Sequence, residues 1–69
     1  VTVSLCSQTA VQCRPGYVGY LTGKDTALDA SRSFTAQLTY GLIAGNFYKV
    51  GVNATDGASQ GYAETTFRA

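Results

Sequence analysis

Residues 33–54, SFTAQLTYGLIAGNFYKVGVNA, decide the fold. Phe34, Ala36, Leu38 and Tyr40 alternate with Thr35, Gln37 and Thr39, the period of a half-buried strand. Ala44-Gly45-Asn46 is a turn signal. Beyond it Tyr48, Val50, Val52 and Ala54 take one side, and Phe47, Lys49, Gly51 and Asn53 the other. The pattern predicts an antiparallel hairpin with strands over 33–43 and 47–54. Its inward set is predicted to be Leu38, Tyr40, Tyr48, Val50 and Val52.

The same alternation continues outward. Residues 62–68 set Ala63, Thr65 and Phe67 against Tyr62, Glu64, Thr66 and Arg68, with Asp56-Gly57 as the preceding turn signal. Residues 1–6 set Val1, Val3 and Leu5 against Thr2, Ser4 and Cys6. Residues 17–22, YVGYLT, read as another short strand, with Gly19 marking a bulge or a close backbone approach. Residues 7–16 hold the only proline, in the turn signal Pro15-Gly16. Residues 23–32 read equally as one helical turn capped by Asp25 or as a surface loop. The sum is a mainly β chain: a small antiparallel sheet of about five strands, with one short disulfide loop, in a single domain spanning 1–69. Strand follows strand without a helical crossover, which favours antiparallel pairing.

A chain of 69 residues buries only about 60% of its unfolded surface. Domains of this size usually need a staple or a partner to be stable. Cys6 and Cys13 lie close in sequence, with no Cys-x-x-Cys and no histidine to complete a metal site. They are expected to form a disulfide, which places the chain in an oxidising compartment. Such a loop contributes about 2–3 kcal/mol by the chain-entropy estimate. The chain has no apolar run near the ~20 residues of a membrane helix. It opens on VTVSL with no methionine anywhere, which reads as a processed product with its leader removed.

Composition excludes more than it includes. Charged residues are 13% of the chain and the net charge is +1. No basic run exists, so nucleic-acid binding has no footprint. The absence of histidine removes the commonest general base and metal ligand. The carboxylates Asp25, Asp29, Asp56 and Glu64 are spread along the chain. Asp25 and Asp29 could share one face of a helical turn and hold a cation, or serve as a cap and a solvated side chain. No enzyme mechanism, cofactor or metal is expected.

The aromatic set is five Tyr and three Phe without Trp. Tyr has an apolar body and a polar tip, which suits strands, sugar-stacking faces and protein interfaces alike. Tyr17, Tyr20 and Phe47 are the expected interface residues. Asn53-Ala54-Thr55 is an N-glycosylation sequon, so Asn53 is a candidate attachment point.

Two family resemblances follow from these residues. Leu42, Gly45, Tyr48, Val50, Val52, Ala54 and Thr65 resemble the last hairpin of fibronectin type III and other immunoglobulin-like modules. That likeness implies a binding or adhesion module, although such modules run to seven strands and about 100 residues. The strand Val1–Leu5, the Cys pair and the run from Tyr48 through Asp56-Gly57 to Tyr62 resemble the globular β-region of a bacterial type IV pilin. The long apolar helix of a pilin, opening Phe-Thr-Leu-Ile-Glu, has no counterpart here. The resemblance therefore implies the globular chain of a split, two-chain pilin, with a helical chain as partner.

The expectation from size, charge and resemblance is a structural subunit of an extracellular or cell-surface assembly, packed against other protein chains. The alternatives are a secreted immunoglobulin-like adhesion module, separated by staying monomeric, and a small secreted inhibitor or toxin. An inhibitor needs a rigid exposed loop, for which the Cys6–Cys13 loop is the candidate.

Overall fold

A computed structural model describes residues 1–55 and 58–69. Among these, four strands form: β1 (Thr2–Ser7), β2 (Tyr20–Asp25), β3 (Phe47–Thr55) and β4 (Gln60–Arg68). They make one antiparallel sheet in the order β2-β1-β3-β4. The antiparallel sheet and the disulfide agree with the sequence reading. The Asp56-Gly57 turn signal lies outside the described residues.

Register explains why β1 is central. Val3 faces Val52, and Leu5 faces Val50. On β4, Ala63 faces Val52, Thr65 faces Val50 and Phe67 faces Tyr48. Side chains of directly paired residues lie on the same face. One face of the sheet therefore carries Val3, Leu5, Tyr48, Val50, Val52 and Phe67. The Tyr48 and Phe67 rings are tilted, 6.0 Å apart. The other face carries Ser4, Cys6, Lys49, Gly51, Tyr62 and Glu64 and is covered by the disulfide loop. The buried apolar set is Val3, Leu5, Cys6, Ala10, Cys13 and Tyr48.

The expected strand over 33–43 is not a strand. Those residues run outside the sheet, and β3 is flanked by β1 and β4 instead. Of the expected inward set, Tyr48 is buried, Val50, Val52 and Leu38 are half-buried, and Tyr40 is exposed. Alternation identifies residues suited to a pleated face, but it does not choose their neighbour. Here the places beside β3 are taken by β1, with Val3 across from Val52 and Leu5 from Val50, and by β4. The turn signal holds: Asn46 N donates to Ile43 O at 3.1 Å, and Gly45 takes φ 88°.

Residues 26–46 form a crossover from β2 to β3. At its start Thr26 N donates to Val1 O at 2.8 Å. Near its end Ile43 N donates to the Tyr48 hydroxyl at 3.0 Å. The crossover thus lies on the Val3–Leu5–Tyr48 face, opposite the disulfide loop. Residues 23–32 form no helix. Asp25 ends β2 and accepts from Thr2 Oγ1 at 2.7 Å. Asp29 builds a turn, its Oδ1 accepting from Ser31 N at 2.9 Å, Ser31 Oγ at 2.7 Å and Ser33 N at 2.9 Å. The two aspartates serve separate places, Asp25 a side-chain bond to Thr2 and Asp29 its own turn. The second strand begins three residues later than expected, because residues 17–19 turn and Tyr20 N donates to Tyr17 O at 3.2 Å.

Candidate functional site

The disulfide loop is cross-linked, buried at both cysteines and closely packed. Cys6 and Cys13 are bonded, with Cα atoms 5.6 Å apart, and both are fully buried with Ala10. Cys13 sits against Gly51 of β3, where a Cβ would lie 2.8 Å from the Cys13 Cβ. Gly19 permits a similar approach: it takes φ 94°, and a Cβ there would lie 2.9 Å from the Ala10 Cβ. The close approach read from Gly19 is thus present.

Polar groups clasp this loop onto β3 and β4. Lys49 Nζ donates to Ala10 O at 2.8 Å. Cys13 N donates to the Tyr62 hydroxyl at 2.8 Å. That hydroxyl donates to Glu64 Oε2 at 2.6 Å. Lys49 Nζ lies 3.5 Å from Glu64 Oε1. The Arg14 guanidinium stacks 4.3 Å above the Tyr62 ring, an attractive geometry for a cation. Desolvation and the bond to Glu64 push the Tyr62 hydroxyl above its ordinary 10.0. The Tyr62 hydroxyl, with Lys49 beside it, holds Glu64 below its ordinary 4.5. Residue spacing gave little warning of this cluster. Alternation did place Tyr62 and Glu64 on one face of the last strand, but nothing local brings Arg14 or Lys49 to them. Its bonds go to backbone and to one another, so its chemistry is that of a fastening.

The sequence-predicted interface residues divide. Tyr17 and Phe47 are each 50% exposed. Tyr20 is half-buried and packs against Cys6, Ala10 and Cys13. Asn53 lies inside β3, opposite Thr2 and Tyr62, with its Oδ1 shielded from solvent. The crossover adds apolar surface: Leu28 is exposed, and so are Phe34, Tyr40, Leu42 and Ile43, which periodicity had assigned to a strand. A cleft of about 580 Å³ opens between Leu28, Val1 and the Ala54–Thr55 end of β3.

The two sheet edges differ. β2 is six residues long and ends on Lys24 and Asp25, and its pairing with β1 slips between Leu5 and Cys6. Short length and irregularity blunt an edge. β4 is nine residues, without Lys or Pro, in unbroken register with β3 from Gln60 to Arg68. Among the described residues no strand pairs with its outer side. No helix there is long and apolar enough to cross a membrane. No protein-family model matches the chain, and no curated protein and no solved structure matches it.

Proposed function

We propose that this chain is a structural subunit of an extracellular assembly and works by packing against partner chains. The observation that carries the reading is the apolar surface left outside the core. Among the described residues, Val11, Val18, Leu28 and Ile43 are each more than half exposed, and Tyr17, Tyr40 and Phe47 nearly so. The crossover that presents much of this surface is longer than the ~12–15 residues beyond which unstructured loops are usually functional or linkers. The surface of 4787 Å² exceeds the ~4,100 Å² expected for a monomer of this mass. A chain completed by neighbours has reason to carry that excess. The buried disulfide suits an oxidising, extracellular setting.

Isolation of the native material tests the reading. Electron microscopy and mass spectrometry should find the chain in an ordered assembly, with other copies or with a second chain. Recovery only as a free chain would favour the adhesion-module reading. A pilus-like filament with a helical partner is the specific form that the pilin resemblance suggests.

A further inference from the structure

The geometry points to the outer edge of β4 as a self-pairing surface. We propose that two copies of this chain join β4 to β4 antiparallel about a two-fold axis at Thr65. The proposal rests on the assembly reading and names one contact within it. The contrast between edges carries the argument. The β2 edge is short and irregular, while β4 presents nine residues in regular register. A long regular edge is a template for another strand.

The side chains along β4 fit a second copy in this register. With the axis at Thr65, Thr65 faces its own copy and Glu64 faces Thr66 of the second chain. Ala63 then faces Phe67, and Tyr62 faces Arg68. Every pair keeps its face, because β4 sets Ala63, Thr65 and Phe67 against Tyr62, Glu64, Thr66 and Arg68. No like charges meet, and small Ala63 is opposed by large Phe67. Of the two neighbouring registers, the one centred on Glu64 would set two carboxylates across from each other, which is unfavourable, and the one centred on Thr66 would set Glu64 across from Arg68 and draw it from Tyr62 and Lys49. Glu64 is already held on its own chain by Tyr62 and Lys49, so the Thr65-centred pair asks nothing more of it. The product is an eight-stranded sheet whose outer edges are the two blunted β2 strands. Two-fold pairing of one surface with itself is the commonest route to a soluble oligomer.

Two variants of the oxidised chain test the pairing, beside the unmodified chain and with circular dichroism to confirm folding. Thr65 is exposed, so both substitutions leave the fold intact. Thr65→Lys should raise the dimer dissociation constant about fivefold or more, from like charges directly opposed. Thr65→Cys should cross-link to a dimer under mild oxidation at least about tenfold faster than Val11→Cys, through the effective concentration within a pair. Both native cysteines are buried and bonded and stay out of the exchange. Association that survives Thr65→Lys and lacks the Thr65 cross-link would place another surface or another chain at the contact. That result overturns the edge pairing and leaves the assembly reading standing. An unmodified chain that stays monomeric at high concentration, and is recovered without partners, overturns both.

Discussion

At the scale of single residues, Gly51 and Tyr62 help to hold the disulfide loop on the sheet. A methyl group at position 51 would press on the Cys13 backbone and Cβ. Gly51→Ala should therefore lower stability by about 1–3 kcal/mol, as overpacking of a close contact does. The midpoint of urea unfolding checks it. Tyr62→Phe removes a hydroxyl that both accepts from Cys13 N and donates to Glu64. Its loss should cost about 0.5–1.5 kcal/mol. The same pair has a pH signature. Tyr62 is raised in the folded chain, so its contribution is full below the ordinary value and is lost as pH rises through the raised one. Glu64 is lowered, so its contribution is full above the ordinary carboxylate value and is lost as pH falls through the lowered one. Unfolding midpoints should fall at both ends of the range, and Tyr62→Phe should weaken both limbs. At this scale the sequence was informative where chemistry is local. The Cys pair, the Gly45 turn and the close approach at Gly19 were all readable from neighbours a few positions away. The clasp was not, because Arg14 and Lys49 reach Tyr62 and Glu64 only through the sheet.

Among the elements, β1, β3 and β4 lie close to the expected 1–6, 47–54 and 62–68. Each alternates strictly and ends near Gly or polar residues, so its existence and its faces were legible. Residues 33–43 alternate as well as any of them and form no strand. Periodicity cannot report that β1, forty residues upstream in sequence, would take the place beside β3. The consequence is measurable. Leu5 is among the most buried side chains, whereas Val50 is only half-buried. Leu5→Ala should cost about 2–5 kcal/mol, and Val50→Ala about 1–2.5. Leu38→Ala, on the crossover, should cost less than Leu5→Ala. Thermal unfolding of the three variants checks the order, and a larger loss at Leu38 than at Leu5 would restore the 33–54 hairpin as the core.

For the whole molecule, the strand order β2-β1-β3-β4 decides what is left uncovered. Placing the first strand inside the sheet sends residues 26–46 across one face and leaves β4 at an edge. The radius of gyration is 12.3 Å, against about 11 Å for a compact chain of this length. The molecule is elongated, 36 × 21 × 16 Å, and, Phe47 of β3 apart, its large exposed apolar side chains among the described residues lie on the crossover and the loop before β2. None of this was legible in the sequence, since the order of strands depends on pairings between distant segments. What composition did suggest is that so short a chain, with so few charges, would have apolar groups to spare. Reduction bears on the same point: with the disulfide opened, the loop should lose about 2–3 kcal/mol and expose Ala10 and Tyr20, seen as a lower unfolding midpoint under dithiothreitol. The most direct measurement of the assembly claim is sedimentation equilibrium of the purified, oxidised chain across a concentration series. The expected result is a mass that rises with concentration above the 7.2 kDa of one chain. A folded chain that holds the mass of a single copy throughout the series, and is recovered from native material without a partner, would contradict it.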